Sequence, residues 1–404
     1  MLKLISRLIT GLIFLFSGFV KAVDPKGGAI KISEYLEVVG LNDTEGIAVF
    51  LSIALSAVEF ILGFHLVLGV KIKRVALPAL LFMLAFTIIT FFIAIFEPVS
   101  DCGCFGDAIK LTNWETLFKN LIILPFSLLV FFKRNEYTCN LSGIKQHFLS
   151  FIGFAFTLGI SAYSIYYLPV LDFRPYKVGA NITESMSIPE GADEGEYETT
   201  FILEKDGERK EFDVNNYPYE DSTWVFIDSK TKVIREGYQP PITALNFEST
   251  DGEDLTERII NNDKPVFLMI APQLEKTSAK HIKSFIEIKN NAISNGYSFY
   301  VVTASLTDAC YKFDMEHLAA FEYALCDETT LKTIVRANPG LVIIHQGTII
   351  AKYNQTELPA ANDLNNPLSH SIESLQTAHN TIWLWLNLAV IAGLLIMIFK
   401  HKQI

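Results

Sequence analysis

Two cysteines separated by a single glycine carry the clearest chemistry in this sequence. Cys102 and Cys104 lie in the stretch EPVSDCGCFGDAI, residues 97–109, directly after a run of apolar residues. A disulfide at this spacing would close a very small ring, so it would be strained and easily reduced. Gly103 and Gly106 would allow the turn. The spacing favours a redox-active thiol pair over a structural disulfide. A metal clip is the weakest alternative and we expect no metal site, because four ligands are usual and the loop has no histidine.

Charged residues near the two thiols have opposing effects. Asp101 and Asp107 flank the cysteines and would raise a thiol pKa, whereas Lys21, at the end of the first apolar segment, would lower it if it packs close. Glu59 lies inside the second apolar segment, where a carboxylate usually faces a bundle interior or a polar partner. Glu59 is therefore a candidate proton relay or quinone contact, with a protonated packing residue as the alternative. We expect His65, in the same segment, to be an ordinary polar residue.

Six apolar segments are long enough to cross a membrane. Each is close to the ~20 residues that span a ~30 Å hydrocarbon layer. The basic clusters KIKR, FFKR and KHK fall on one side with the first residues if the segments alternate, so the positive-inside rule predicts cytoplasmic N- and C-termini. The C-x-C loop and residues 171–380 would then lie on the opposite side. The predicted segments are approximately 4–22, 47–70, 75–96, 114–132, 149–169 and 381–399.

The charge distribution limits the partners of this chain. The net charge is −11, with the acidic excess concentrated in residues 171–380. An acidic exported segment without a basic patch argues against nucleic acid. The lipid bilayer and a periplasmic or membrane protein client are the expected partners. Cysteines exported to an oxidising compartment can persist as disulfides.

The segment beyond the fifth apolar run alternates between strand and helix patterns. Residues 197–250 predict two β hairpins, one turning at Asp206–Gly207 and the other near Ser229–Lys230. Residues 243–354 contain buried strands separated by helices and end in a further hairpin, which predicts an α/β domain with a mixed sheet. Within the loop 23–46, apolar residues recur at helical spacing, which predicts a short amphipathic surface helix.

The membrane part resembles the DoxX and MauE type of small membrane protein. The resemblance is carried by RLITGLIFLFSGFVKAVDP (7–25), EFILGFHLVLG (59–69) and DCGCFGD (101–107), in this order and spacing. It implies a four-helix membrane bundle associated with disulfide or redox chemistry. The fifth helix, the exported domain and the sixth helix go beyond that family's pattern.

Residues 243–354 are similar to the TlpA-like branch of the thioredoxin fold. The similarity is carried by an F-x-x-x-D-G entry, the KPVFLM strand, and Asn338 and Pro339 before the last hairpin. The resemblance implies a cis proline at Pro339 that faces the active dithiol, and a binding role for this loop. The family's C-x-x-C is missing, since PQLEKTSAK occupies its place near Leu274 to Ser278. The domain therefore cannot run ordinary dithiol exchange from that site.

The same resemblance brings two further cysteines into consideration. In a TlpA-like layout Cys310 and Cys326 lie toward the same end of the sheet, so they could meet. A disulfide between them would close a loop of about 16 residues, worth ~3 kcal/mol in the chain-entropy model. Unpaired buried thiols and an exchanging pair are the alternatives.

Together these features predict an inner-membrane protein of a bacterium that handles thiols and disulfides. Cys102 or Cys104 would exchange electrons with a client protein or a membrane quinone, and the exported domain would bind the client. A non-catalytic scaffold is the competing hypothesis, and the missing C-x-x-C favours it. The predicted parts are a DoxX/MauE-like membrane domain (1–135), a fifth membrane helix (136–170), a linker with β hairpins (171–242), a thioredoxin-like domain (243–356), a second linker (357–380) and a C-terminal membrane helix (381–404).

Overall fold

The computed structural model describes residues 1–373 except positions 39, 42, 43, 100, 194, 206, 207, 214, 215, 220, 222 and 236. The chain divides into two compact units, one made of Met1–Gly179 with Asn246–Ile404 and the other of Ala180–Leu245. The predicted membrane helix at 381–399, and the predicted linker from residue 374 onward, lie outside the described residues.

The first part of the chain is helical. Five of its helices, 20 to 25 residues long, are long and apolar enough to cross a membrane, which confirms the first five predicted segments. A shorter helix lies between the first two of them, where the amphipathic helix was predicted. The six helices are α1 (Leu2–Val23), α2 (Pro25–Val38), α3 (Glu45–Leu68), α4 (Ile72–Phe96), α5 (Asn113–Phe132) and α6 (Gly143–Tyr166).

Small residues allow α1 and α3 to pack with their backbones in close contact. A methyl group at Gly18 would overlap the backbone nitrogen of Phe60, and one at Gly63 would overlap the backbone nitrogen of Leu15. Glycine at helix crossings permits this approach in membrane bundles. Because the helices cross so closely, side chains that lie one turn away from these glycines contact each other directly.

Helix α5 begins at a well-defined point just after the C-x-C loop. The Thr112 hydroxyl accepts a hydrogen bond from the Glu115 backbone N–H, and the Glu115 carboxylate accepts one from the Thr112 backbone N–H. This reciprocal pair satisfies two N–H groups that the helix start leaves without intrahelical partners. The cap fixes where the loop ends and the membrane helix begins.

The smaller unit contains a short helix and a three-stranded antiparallel sheet. The first predicted hairpin is confirmed, because its two strands pair antiparallel; its turn at 206–207 lies outside the described residues. The second predicted hairpin is wrong. Instead of turning near Ser229–Lys230, the chain runs straight through these residues as one long strand paired with the first. The elements are α7 (Ile182–Met186), β1 (Glu196–Lys205), β2 (Glu208–Asp213) and β3 (Val225–Arg235), in the sheet order β2-β1-β3.

The reason for this error is visible in the strand. No glycine or proline occurs between Val225 and Arg235, so nothing forces a turn there. Backbone pairing of β3 with its neighbouring strand β1 then outweighs the turn tendency of the polar residues in the middle of β3. Phe201 pairs with Ser229 and Thr200 with Lys230 in this register.

The thioredoxin-like domain has a six-stranded mixed sheet, as predicted. Strand β5 pairs parallel with β6 and antiparallel with β8, so the sheet combines crossover connections with a terminal hairpin. The strands are β4 (Glu248–Ser249), β5 (Val266–Ile270), β6 (Ser298–Thr303), β7 (Tyr323–Leu325), β8 (Gly340–His345) and β9 (Thr348–Asn354), in the order β4-β7-β6-β5-β8-β9.

Helices cover this sheet and enclose an apolar core. Every residue of β5 is buried, as expected for a central strand with both faces covered. Phe267 and Met269 of this strand pack with Phe285 and Ile288 in one cluster of buried side chains. The remaining helices are α8 (Thr256–Ile260), α9 (Ile282–Ser294), α10 (Thr307–His317) and α11 (Glu328–Ile334).

The segment after α6 is held against the sheet, although it was predicted to be a linker. The Arg174 Nε lies 2.7 Å from Asp172 Oδ1, and the Lys352 Nζ of β9 lies 2.8 Å from Asp172 Oδ2. The Gly179 backbone N–H donates to the Ile349 carbonyl. These charges pair with one another and fix residues 172–179 to the domain.

Candidate functional site

The two cysteines of the C-x-C motif lie in the loop between α4 and α5. Their sulfurs are 3.0 Å apart and both thiols are free, so they are in contact without the ~2.05 Å bond of a disulfide. Gly103, between them, has φ of +63°, a conformation that residues with a side chain rarely adopt. The loop therefore holds the two sulfur atoms in direct contact.

A buried ion pair lies directly beneath this loop. Lys21 Nζ of α1 is 2.7 Å from Glu59 Oε1 of α3 and 2.8 Å from Oε2, and the two residues are only 7% and 3% exposed. A charge at this depth is costly unless it is paired and hydrogen-bonded. The structure thus brings together two of the predicted site residues, and it gives Glu59 a cationic partner that sequence analysis did not assign.

Ser17 connects the ion pair to the cysteine loop. Its hydroxyl lies 2.7 Å from Glu59 Oε2 and 2.7 Å from the carbonyl oxygen of Cys104, and it accepts a hydrogen bond from Lys21. A hydroxyl has one proton to donate, so it can serve the carboxylate or the carbonyl but not both at once. Ser17 therefore links the Glu59 carboxylate to the backbone of Cys104.

Helix α2 holds the loop from another side. The Tyr35 hydroxyl donates to the carbonyl oxygen of Cys102 at 3.0 Å, and Lys31 Nζ lies 3.0 Å from Asp101. The Asp101 carboxylate in turn accepts a hydrogen bond from the Gly103 backbone N–H. The short interfacial helix thus fixes the backbone on both sides of the first thiol.

The electrostatic environment distinguishes the two thiols. The hydrogen bond from Cys102 lowers the pKa of Cys104 to about 6, with burial opposing the change and the ammonium groups of Lys119 and Lys21 adding to it. The same hydrogen bond and burial raise the pKa of Cys102. Thiolates, not thiols, are the nucleophiles in exchange. Of the two sulfurs, Cys104 is therefore the one whose environment favours the thiolate.

The expectation that Asp101 and Asp107 would raise the thiol pKa is not met at Cys104. Each carboxylate has a cationic partner, Lys31 for Asp101 and Arg336 for Asp107, so its charge is compensated locally. The two acids are visible next to the cysteines in the sequence, but their cationic partners lie far away along the chain. The charges that act most on the Cys104 thiol are those of Lys119 and Lys21, which lower its pKa, and that of Glu59, which raises it.

Arg336 of the thioredoxin-like domain contacts the membrane domain directly. Its guanidinium lies 2.9 Å from Asp24, at the end of α1, and 2.9 Å from Asp107 of the cysteine loop, and its carbonyl oxygen accepts a hydrogen bond from Lys26. Burial raises the pKa of Asp24, but the guanidinium overcomes this effect and the pKa is lowered. The Arg336 side chain thus joins the thioredoxin-like domain to the loop that carries the thiols.

The segment that stands where C-x-x-C is missing forms a short helical turn. Residues Leu274–Lys276 form a single helical turn after β5, and Asn338 Nδ2 donates to the Gln273 carbonyl at 2.9 Å. The Asn338–Pro339 peptide bond is cis, as the resemblance implied. The turn contains no thiol, so the candidate chemistry falls to Cys102 and Cys104.

The predicted disulfide between Cys310 and Cys326 is not formed. Both thiols are free. Cys310 belongs to the core cluster that Tyr323 and Leu325 of β7 also face, and alternation along the chain directs Cys326 to the opposite side of the sheet. Burial raises the pKa of Cys310 to about 11 and that of Cys326 to about 12. They are therefore protonated, poorly reactive thiols.

His65 has a structural environment, in line with the expectation. Its Nδ1 lies 2.7 Å from the Ile61 carbonyl and its Nε2 lies 2.8 Å from the Ser150 hydroxyl of α6. Both ring nitrogens are thus engaged, Nδ1 within α3 and Nε2 between α3 and α6. Among the described residues, no group of three histidine, cysteine or acidic side chains is arranged to hold a metal ion.

The surroundings of Cys104 allow a test of the predicted quinone. A crevice beside Cys104 has aromatic walls from Phe82 and Phe86 and polar groups from Lys21 and Glu59, which suit the ring and carbonyls of a quinone. Its volume of about 40 Å³ is, however, far below the ~300–1,000 Å³ of small-molecule pockets. A quinone ring does not fit the crevice in this arrangement, so the quinone stays a prediction and no step is derived through it.

Four residues of this site were missed by sequence analysis. Ser17 lies in the 7–25 stretch that carries the family resemblance, but nothing there marks its role. Tyr35, Lys119 and Arg336 are common surface or helix residues outside the stretches that carry the resemblances. Lys119 Nζ, for example, lies 4.3 Å from the ring centre of Phe105 in the cysteine loop. Only the long-range packing of α1, α2, α5 and the Pro339 loop reveals these contacts.

Comparisons with known proteins agree with this two-part organisation. Residues 1–133 match the family model for methylamine utilisation protein MauE, and residues 197–236 match a domain of unknown function, DUF8463. Protein TlpB of Flavobacterium psychrophilum is 24% identical over 162 residues, which is 39% of this chain and 42% of TlpB. The chain thus spans about two fifths of the length of this curated relative. It combines a MauE-like membrane domain with a thioredoxin-like domain.

A solved structure is also similar. The solution structure of a candidate protein disulfide isomerase from Bacteroides thetaiotaomicron is 12% identical, with a TM-score of 0.26, over 33% of this chain and 89% of that chain.

Proposed function

We propose that this protein carries out thiol–disulfide exchange at Cys102 and Cys104. The observation that supports the proposal most directly is the pair of free thiols 3.0 Å apart, in a loop fixed by α1, α2 and Arg336. The pKa of about 6 at Cys104 supplies a thiolate at neutral pH. The MauE-like and thioredoxin-like parts are both consistent with a redox or maturation role.

The exchange can be written as two balanced steps. The Cys104 thiolate attacks a client disulfide, which forms a mixed disulfide and releases one client thiolate. Cys102 then loses its proton and attacks the Cys104 sulfur, which forms the C-x-C disulfide and releases the second client thiolate. The client gains the two electrons that the thiol pair loses. Because a C-x-C ring is strained, the reverse sequence, which oxidises a client dithiol, is also accessible.

We place the reaction on the outer face of a bacterial inner membrane. Lys3 and Arg7 near the start of α1 lie at the same end of the bundle as the basic residues Lys71 and Lys133, in keeping with a cytoplasmic N-terminus. Cys139, just after α5, then lies inside. An impermeant maleimide applied to intact cells should label Cys104 after mild reduction and leave Cys139 unlabelled. Labelling of Cys139 alone would reverse this orientation.

Thiol trapping in intact cells tests the function. In the Cys102→Ser variant the resolving thiol is lost, so the Cys104–client mixed disulfide should accumulate and be visible on non-reducing gels. Cys139→Ser is the matched control and should not trap a client. If Cys102 and Cys104 never change redox state in wild-type cells and no mixed disulfide forms, the exchange proposal fails.

A non-catalytic scaffold is the second candidate. The absence of cysteine from the PQLEKTSAK segment, residues 272–280, favours it, because the thioredoxin-like domain has no dithiol of its own. In a scaffold the client would bind without covalent capture. Normal client maturation in cells that carry a Cys102→Ser/Cys104→Ser double variant would support this second function over the first.

A further inference from the structure

A cleft separate from the thiol site opens at one edge of the thioredoxin-like domain. It lies where β4 pairs with β7, and its volume of about 330 Å³ is within the ~300–1,000 Å³ range of ligand sites. Helix α10 borders one side, and the segment between β4 and α8 borders the other. None of the described residues that line it belongs to the C-x-C loop, to α2 or to the Asn338 loop.

Aromatic rings form much of this cleft. Tyr300 and Phe321 are only 2% and 8% exposed, whereas Tyr311 is 62% exposed and lies at the rim. Tyr323 is the fourth aromatic lining residue. The face of an aromatic ring carries partial negative charge and attracts a cation within about 6 Å of the ring centre. Four rings around one cleft therefore favour a positively charged ligand.

The charged side chains of the cleft point to the same sign of ligand. Three carboxylates line it, those of Glu253, Asp314 and Glu322, and none of them forms an ion pair with a described residue. Among the described lining residues, Arg258 is the one cation. The lining thus carries more negative than positive charge, and such a cleft concentrates cations.

Two buried hydroxyl groups at the cleft specify the kind of cation. The side-chain oxygens of Tyr300 and Tyr323 are buried, and neither forms a hydrogen bond with a described residue. An unsatisfied buried hydroxyl costs about 1–3 kcal/mol, so such groups usually have a ligand or an ordered water as partner. Hydroxyl lone pairs accept hydrogen bonds from N–H groups. A primary ammonium can donate these bonds, whereas a quaternary ammonium cannot.

The wall of the cleft directly before β7 is fixed by two hydrogen bonds. Asp314 Oδ1 accepts one from the Phe321 backbone N–H at 2.9 Å, and Lys289 Nζ donates one to the Ala320 carbonyl at 2.8 Å. Lys289 Nζ also lies 5.5 Å from the centre of the Phe321 ring, so this ring already contacts an ammonium group of the chain itself. A wall held in this way lowers the cost of ordering the site when a ligand binds.

We propose that this cleft binds a primary ammonium group on an apolar stem, supplied either by a free alkylamine or by a lysine side chain. The carboxylates of Glu253 and Glu322 attract the charge, and the hydroxyls of Tyr300 and Tyr323 accept its N–H groups. The stem packs against the ring of Phe321. This site is independent of the proposed thiol exchange, because the cleft shares no described residue with the C-x-C site.

Ligand-detected NMR titrations of the full-length protein in nanodiscs of zwitterionic lipid test the proposal, with empty nanodiscs as the blank. The probes are n-pentylammonium, its neutral counterpart n-pentanol, and the peptide acetyl-Gly-Lys-Gly-amide. We expect an ammonium probe to bind and n-pentanol to bind about tenfold more weakly, because pentanol lacks the charge. The ammonium probe with the higher affinity identifies the source of the group.

Three substitutions in the cleft should change the affinity for n-pentylammonium in different ways. Tyr300→Phe keeps the ring and removes the hydroxyl, so it should weaken binding about tenfold. Because it also removes an unsatisfied buried group, it should not lower the melting temperature, which separates a binding role from a structural one. Glu322→Gln should weaken binding about threefold. Arg258→Gln removes the opposing charge and should strengthen binding by a similar factor.

The matched control is Glu316→Gln, which removes a carboxylate from the exposed surface of α10 outside the cleft. It should leave the affinity unchanged. If it weakened binding as much as Glu322→Gln, the effect would be one of net charge alone and the proposal would be overturned. Failure of both ammonium probes to bind the wild-type protein, or equal binding of n-pentanol, would also overturn it.

Discussion

Lys21 and Glu59 form an ion pair inside the membrane domain, with Lys21 Nζ 2.7 Å from Glu59 Oε1 and both residues more than nine-tenths buried. Removing one partner of such a pair leaves an uncompensated charge and typically costs about 3–5 kcal/mol. We therefore expect Lys21→Met or Glu59→Gln to lower the melting temperature in detergent markedly. The Lys21→Met/Glu59→Gln double variant should recover much of this loss. A double variant as unstable as the sum of the singles would show that the pair is not coupled.

The reactivity of Cys104 should depend on pH, because the hydrogen bond from Cys102 lowers the pKa of its thiol. Its thiolate forms as the pH rises through about 6, so iodoacetamide alkylation should be slow at pH 5 and near its maximum at pH 7. Cys102→Ala removes the hydrogen bond that contributes most to the lowering, and should shift the midpoint upward by one or more pH units. Lys119→Met should give a smaller upward shift. An unchanged midpoint in Cys102→Ala would contradict this assignment of roles.

The contact between Arg336 and Asp107 should couple the two domains energetically. In a double-mutant cycle with Arg336→Gln and Asp107→Asn, we expect a coupling within the roughly 0.5–3 kcal/mol found for contacting residues. The matched control is the exposed pair Lys133–Glu136, whose side chains are 46% and 44% exposed, and whose coupling should be below about 1 kcal/mol. Chemical denaturation in detergent measures both. Equal coupling in the two pairs would argue against a structural role for Arg336.

The backbone of the cysteine loop requires glycine at its centre. A Cβ at Gly103 would lie 3.0 Å from the Lys31 Cγ, in addition to the strain of a positive φ. Gly103→Ala should therefore destabilise the fold by about 1 kcal/mol and slow thiol exchange. Gly143→Ala, where no neighbouring atom lies within 4 Å of the new Cβ, is the control and should be neutral or slightly stabilising. Normal exchange in Gly103→Ala would show that the loop tolerates another conformation.

Local patterns were sufficient to predict most of the elements. The apolar segments predicted all five described membrane helices, and the alternation of buried strands with helices predicted the mixed sheet. The long strand β3 was misread because polar residues such as Ser229 and Lys230 resemble a turn until a pairing partner is known. Strand pairing is a long-range property, and a single sequence window does not contain it.

The residues of the site could be predicted only where a residue type is unusual for its surroundings in the sequence. A charge inside an apolar helix, such as Lys21 or Glu59, and a C-x-C pair both stand out in a sequence. Arg336 does not, because arginine is common in a polar domain and its partner Asp24 lies 312 residues earlier in the chain. Contacts over such separations depend on how two domains pack, which neither periodicity nor composition encodes.

The anchoring of residues 172–179 on the sheet has a practical meaning for dividing this protein into parts. Lys352 is deeply buried, and burial together with the Arg174 charge lowers its pKa to about 7 despite the Asp172 carboxylate beside it. A soluble fragment cut at residue 243 would leave this amine without its counter-ion and strip the partner from the edge of β9. A fragment that keeps this ion pair therefore has to begin before residue 172.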